Sequence, residues 1–218
     1  MNSVTSAKAN EIIEQDLLKM GNLVKLTMKK AIQALRDQDS DIARHVIEQD
    51  DLIDNLQIVV EEEVERLLLI MPPVGFDLRR GFTAVKIAND LERIGDYATN
   101  IAEIVLELKN EKYIKPLVHI PKLAGLAMNM VSTVLNAFIE KNADLAEAVC
   151  RKDEEADNLY EEIQNELITI LSKESNPQVS YQASRFFLIA EWLERTADHA
   201  TNIGEETIYY LTAKRVKY

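Results

Sequence analysis

The chain is short of the residues that most often carry chemistry. Cysteine occurs once, as Cys150, so no disulfide can close within the chain. That usage is compatible with a reducing cytosol. The three histidines, His45, His119 and His199, form no Cys/His cluster for structural zinc. There is no Glu-x-x-His pair of the kind that marks ferritin-like di-iron bundles. A glycine-rich phosphate loop and a Gly-x-Ser-x-Gly elbow are also missing. Basic residues are scarce, 25 against 37 acidic ones, for a net charge of −12. A surface this acidic repels phosphodiesters, which argues against nucleic acid and favours a cation or a basic protein surface as partner. No run of about 18 apolar residues predicts a membrane span, and the first residues lack a basic-then-apolar leader pattern.

Glycine and proline are also few, six and five in 218 residues, and they sit where a helical reading needs breaks. Pro72, Pro73 and Gly75 interrupt one periodic run, Pro116 and Pro121 mark a central joint, and Asn176-Pro177 interrupts the second half. Between them apolar residues recur at three and four, as in Leu91, Ile94, Ala98, Ile101 and Val105. Alternating strand patterns are absent. The pattern predicts an all-α chain of six helices, over 5–37, 40–71, 76–110, 121–141, 143–173 and 178–212. Asp39 or Asp41 and Asn142 or Asp144 are the expected caps of the second and fifth.

What is present is a duplication. Leu91-Glu92-Arg93-Ile94-Gly95-Asp96-Tyr97-Ala98-Thr99-Asn100-Ile101-Ala102-Glu103 returns as Leu193-Glu194-Arg195-Thr196-Ala197-Asp198-His199-Ala200-Thr201-Asn202-Ile203-Gly204-Glu205, nine of thirteen positions identical at a shift of 102. Asp50, Asp54, Asn55 and Leu56 return as Asp153, Asp157, Asn158 and Leu159 at a shift of 103. Residues 1–115 and 116–218 then read as two tandem antiparallel three-helix bundles, short-looped and packed together.

The repeated polar residues share a face. With Glu92 at zero on a helical wheel, Asp96 falls at about 40°, Asn100 at about 80° and Glu103 at about 20°. Glu194, Asp198, Asn202 and Glu205 repeat the stripe. Like charges four apart destabilise a helix by a few tenths of a kcal/mol, so something positive should compensate. The spacing about the turns is also informative. Asp54 pairs with Glu92, and Asp50 with Asp96, symmetrically about residue 73; Asp157 with Glu194, and Asp153 with Asp198, are symmetric about the 175–176 step. An antiparallel hairpin sets each Asp-x-x-x-Asp opposite a Glu-x-x-x-Asp, so four carboxylates converge in each half. Oxygen-only donors suit hard cations such as Mg, Ca, Mn or iron. The bland alternative is a solvated acidic face, because the apolar face of the third helix centres at about 240°, away from the stripe. A metal would sit at the bundle surface.

Nearby residues leave alternatives open. Glu191 shares the stripe while its counterpart is Asn89; either is a further ligand or a solvated polar group. Arg93 and Arg195 pair with carboxylates of the neighbouring helix or bind a phosphate-like anion. His199, whose counterpart is Tyr97, reads as a surface or packing residue, and Cys150 as a small buried hydrophobe. Trp192, Phe186 and Phe187 fall at core or inter-half positions. Lys214, Arg215 and Lys217 complement the negative end of the last helix or touch anionic lipid.

Taken in order, Asp50-x-x-x-Asp54, Pro72-Pro73-Val74, Asp77-Leu78-Arg79, Lys86 through Asp96, and Asn100-Ile101-Ala102-Glu103 resemble the PhoU family over nearly the whole chain. The resemblance implies two three-helix bundles that bind metal ions, in some members multinuclear iron clusters, through a repeated E(D)xxxD motif. It carries that role to Asp50, Asp54, Glu92 and Asp96 and to Asp153, Asp157, Glu194 and Asp198, with Asn100, Glu103, Asn202 and Glu205 as further ligands. Thr196 departs from the commoner isoleucine without touching a ligand position. The resemblance further implies a cytoplasmic homodimer, peripheral to the inner membrane through its partners; the missing catalytic motifs read as no enzyme, and the short tail after the last helix as no extra output domain. Such a protein acts as a negative regulator between a phosphate ABC transporter ATPase and a membrane sensor histidine kinase. The rivals are a carboxylate-bridged metalloenzyme and a helical scaffold without metal.

Overall fold

The structure is a computed structural model that describes residues 2–70 and 74–218, with side chains from residue 8 onward except at 70. The expected turn at Pro72-Pro73 lies outside the described residues. Among the described residues there are helices and no strands. The elements are α1 (Asn2–Asp37), α2 (Ser40–Glu48), α3 (Asp51–Ile70), α4 (Phe76–Glu107), α5 (His119–Ile139), α6 (Ala143–Cys150), α7 (Asp153–Leu171) and α8 (Pro177–Thr212).

Six rods are present, and the second rod of each half is broken into two segments. The breaks fall at Gln49-Asp50 and Arg151-Lys152, within one residue of equivalent places in the repeat. Each is a tight turn: the Asp50 amide reaches the Ile47 carbonyl at 3.3 Å, and the Lys152 amide reaches that of Val149 at 2.9 Å. Asp39 caps α2, its Oδ1 accepting from the amides of Asp41 (2.9 Å) and Ile42 (3.0 Å), and Asn142 caps α6 through the Leu145 amide (3.0 Å). Losing such a cap costs about 1 kcal/mol.

Each half is a three-rod bundle, α1, α2–α3 and α4 in the first and α5, α6–α7 and α8 in the second. The halves join through α4 against α8 and α1 against α5, and one apolar core runs through both. Leu91, Ile94, Ala98 and Ile101 of α4 and Leu193, Ala197, Ala200 and Ile203 of α8 are fully buried. Each large one contributes about 2 kcal/mol by leaving water. Phe186 is fully buried; Phe187 and Trp192 are half-buried against the same core. α4 and α8 run antiparallel, pinned along their length by Lys86 to Glu206 (2.7 Å), Tyr97 to His199 (3.2 Å) and Arg185 to Glu107 (2.7 Å).

Two glycines let rods approach beside the repeated motifs. A Cβ on Gly95 would meet Ile53 Cδ1 of α3 at 2.8 Å, and one on Gly204 would meet Cys150 Sγ at 2.5 Å. α5 has no unbroken apolar run, since Lys122, Asn129, Ser132, Thr133 and Asn136 interrupt it. Its 21 residues are long and apolar enough, by length and composition, to cross a membrane, yet 56% of the qualifying window is buried in the protein. It packs on α8, α1, α6 and α7, as a core helix does.

Candidate metal centre

The hairpin of α3 and α4 sets Asp54, Glu92 and Asp96 together, with one carboxylate oxygen from each within 4.8 Å of the others. Asp50 stands at the break before α3, and its Oδ1 accepts a hydrogen bond from the Thr99 hydroxyl of α4 (2.8 Å). All four carboxylates are half-buried. The symmetric spacing about residue 73 is therefore met in three dimensions.

This crowding has an electrostatic signature. Burial and the charges of Asp50, Asp96 and Asp51 hold the Asp54 carboxyl above its ordinary value. Burial, then Asp96, raises Glu92, and burial, then Asp50, raises Asp96. Arg93 opposes both shifts, lying 3.1 Å from Asp96 and 3.5 Å from Glu92. Ionised carboxylates facing one another without a cation are destabilising, and a bound cation reverses the sign of that energy.

The second half repeats the plan in a looser form. Asp153 accepts from the Thr201 hydroxyl at 3.1 Å, as Asp50 does from Thr99. Asp153 and Glu194 are half-buried, while Asp157 and Asp198 are exposed. Burial raises Asp153, with Asp198, Asp157 and Glu205 adding to it and the Thr201 bond opposing. Glu194 is pushed up to about 7 by burial, then by Asp198 and Asp157. Partial desolvation of the carboxyl, then Asp157, raises Asp198 although the residue as a whole is exposed. The four carboxylates thus sense one another, but among the described residues only the first-half trio closes to within 4.8 Å.

The further candidates are placed unevenly. Asn100 is half-buried and Glu103 exposed, and neither side chain makes a hydrogen bond or ion pair among the described residues. Glu205 accepts from the Tyr218 amide (2.8 Å), and Asn202 is exposed, lining a cleft with Lys86, Asp90 and Glu206. The carboxylates the arginines pair with lie in their own helices, Arg93 with Glu92 and Asp96 and Arg195 with Glu191 (2.8 Å), and Arg195 also engages the Tyr97 hydroxyl of α4. At three and four residues' spacing the local carboxylate is the nearer one. His199 is a packing residue, its Nδ1 2.8 Å from Asp90 and its Nε2 3.2 Å from the Tyr97 hydroxyl. Arg215 folds back onto Glu206 (2.6 Å) and over the Tyr209 ring, both in the last two turns of α8. Cys150 is buried, and burial pushes its thiol up to about 12, which removes the reactive thiolate.

Thr99 and Thr201 are the site residues that sequence reasoning passed over. Their signal was available. Both are kept across the repeat, and the wheel sets Thr99 at about 340°, beside the acid stripe.

Fold and site together define a duplicated all-α bundle protein that carries a facing set of carboxylates in each half. The PhoU domain profile matches this chain twice, over residues 17–105 and 120–207. The chain is 38% identical over 207 residues to the phosphate-specific transport system accessory protein PhoU homolog of Clostridium acetobutylicum, covering 94% of each chain. It superposes on the phosphate transport system regulatory protein PhoU of Streptococcus pneumoniae with a TM-score of 0.90, at 30% identity, covering 98% of this chain and all of that one. PhoU from Pseudomonas aeruginosa gives a TM-score of 0.89 at 32% identity, over 95% of this chain and 99% of that one. The chain belongs to the PhoU family.

Proposed function

We propose that this protein is a metal-binding negative regulator of phosphate uptake, acting in the cytoplasm between a phosphate ABC transporter and a sensor histidine kinase. The relatives' names carry the phosphate-transport part of this reading. The convergence of Asp54, Glu92 and Asp96 on one point, repeated in plan by Asp157, Glu194 and Asp198, is the observation behind the metal part. The donor set is oxygen alone, which fits iron, Mn or Mg better than zinc held by thiolates. Four carboxylates in each half would supply enough oxygen donors to hold more than one ion. Asp50 and Asp153, oriented by Thr99 and Thr201, complete the two donor sets. In this reading a bound cation supplies charge neutralisation, and the chain's own carboxylates hold α3 against α4 and α7 against α8. The bundle faces are then presented to partner proteins in one arrangement.

A deletion strain tests the regulatory part. In phosphate-replete medium it should express phosphate-starvation genes, and the wild-type gene should restore repression. A strain that stays repressed without the gene overturns the regulatory reading. The same strain carrying Asp54→Asn, Glu92→Gln and Asp96→Asn tests whether the cluster serves that role. Full repression by this variant, folded and present at wild-type levels, separates the cluster from the regulation.

A further inference from the structure

We propose that the groove between α1 and α5 docks an acidic amphipathic helix from a partner protein, a reading independent of the metal clusters. The groove has a volume of about 510 Å³, and no acidic side chain lines it. On a chain of net charge −12 that is a local reversal of sign. Its α1 lip carries Lys25, Lys29 and Arg36, all exposed and spaced by four and seven along one helical face. Arg36 is held by Asp37, while Lys25 and Lys29 make no ion pair among the described residues. The internal repeat supplies a control. At the shift of 103 the counterparts are Met128, Ser132 and Ile139, all uncharged, so neither the fold nor the repeat demands these cations.

The rest of the groove is shaped for an apolar stripe. Met28 and Met128 are buried in its floor beside half-buried Ile32, and methionine adapts to varied apolar partners. The α5 lip carries exposed Gly125. A glycine inside an exposed helix weakens it relative to alanine. At Gly21, Gly95 and Gly204 a Cβ would strike a neighbour at 2.3, 2.8 and 2.5 Å, so internal packing accounts for them. Nothing lies within 4 Å of a Cβ at Gly125. The gap serves no packing within the chain, and its use is close approach by a second backbone. A helix with an apolar i, i+3, i+7 stripe and an acidic flank meets the floor, the gap and the cationic lip at once. An anionic membrane is disfavoured, because the molecule's net charge opposes it beyond the lip.

The test uses the full-length protein and a panel of fluorescein-labelled helical peptides with a leucine stripe and a glutamate flank, against a panel with lysine in place of glutamate. Anisotropy should show an acidic peptide binding tighter than about 100 μM, with its lysine control at least about tenfold weaker. Affinity should fall with salt. Lys25→Glu with Lys29→Glu should weaken binding about tenfold or more, and Gly125→Leu should abolish it, both with native circular dichroism. The proposal fails if no acidic peptide binds at that level, if the lysine panel binds equally, or if the charge reversals leave affinity unchanged. It also fails if the reversals instead release the protein from phosphatidylserine vesicles, or if sedimentation equilibrium shows them dissociating a dimer. Those results assign the groove to a membrane or to a second copy.

Discussion

The two carboxylate clusters hold the same four acids and differ in the company they keep. In the first half Arg93 lies against both Glu92 and Asp96, and the trio closes to within 4.8 Å. In the second half Arg195 turns to Glu191, Glu194 climbs to about 7, and Asp157 and Asp198 stand open to solvent. Two neighbours bear on the arginine's direction: the Tyr97 hydroxyl of α4, which engages Arg195, and the residue three before the motif glutamate. That residue is Asn89 in the first half, where it accepts from Gln57 at 2.6 Å and offers no charge. It is Glu191 in the second, a carboxylate one helical turn before Arg195. The duplication thus kept the acids while a neighbour outside the set diverged and changed their electrostatics. On the metal reading these are two sites of one plan and unequal poise.

The largest expected effect separates the two sites outright. Glu92→Gln with Asp96→Asn should remove the first-half ions and leave those of the second, and Glu194→Gln with Asp198→Asn should do the converse. Affinity at the altered half should drop more than about 100-fold, beyond the 10- to 100-fold typical of losing an outer partner. Elemental analysis after dialysis against Mn(II) or Fe(II) reads it. Unchanged content in both variants would remove the metal reading, and loss of all ions from either one would make the clusters a single cooperative unit.

Next in size is the pH dependence of the metal-free protein. Glu194 has its folded pKa at about 7, above the ordinary 4.5, so the folded state binds more protons than the unfolded one between those values. Stability is then greatest below about 4.5 and declines as pH rises through about 7. Discounted for partial exposure, the decline is about 1–2 kcal/mol. The raised Asp54, Glu92, Asp96, Asp153 and Asp198 act in the same direction. Thermal melts from pH 4.5 to 8 should show it, with Glu194→Gln flatter and roughly 2–6 °C more stable at pH 8. A wild-type protein that gains stability over this range contradicts the assignment.

Thr99→Val and Thr201→Val should have smaller effects. Each removes the hydroxyl that donates to Asp50 or Asp153 and keeps the side-chain volume. The expected cost is about 1 kcal/mol, read as a fivefold to tenfold fall in metal affinity at that half alone. Equal falls at both halves from one substitution would show a global rather than a positioning role.

Much of this arrangement is written in the chain. The duplication follows from the two thirteen-residue copies, and the meeting of Asp54 with Glu92 follows from their symmetry about residue 73. The breaks at Gln49-Asp50 and Arg151-Lys152 do not announce themselves. No glycine or proline stands there, and the apolar period runs on from Val46 to Ile53 and from Val149 to Ala156. The contact of Tyr97 with His199 was hidden for another reason. They are equivalent positions that meet where α4 crosses α8, so each has its own counterpart as its neighbour. Such a pair can change together without disturbing the repeat elsewhere. The direction of Arg93 and Arg195 depends on a competition between nearby carboxylates, which periodicity does not record.

That competition gives the finest test of the comparison. The Arg195–Glu191 pair is an exposed i, i+4 contact, with side chains 52% and 38% accessible, and is worth only about 0.3–0.5 kcal/mol. Glu191→Asn, combined with Tyr97→Phe to remove the hydroxyl that also engages Arg195, should therefore release Arg195 toward Glu194 and Asp198, reproducing the first-half arrangement. Arg195 already lowers the Glu194 pKa from its present position, and a closer approach strengthens that effect. Glu194 should titrate about half a unit lower, equivalent to about 0.7 kcal/mol, in carboxyl-carbon NMR of the metal-free protein. Asn89→Glu should do the reverse, drawing Arg93 away and moving Glu92 further up from its already raised value. If both variants leave both glutamates where they were, the asymmetry arises from the packing of α7 on α8 against that of α3 on α4. Position 89/191 would then be a bystander to it.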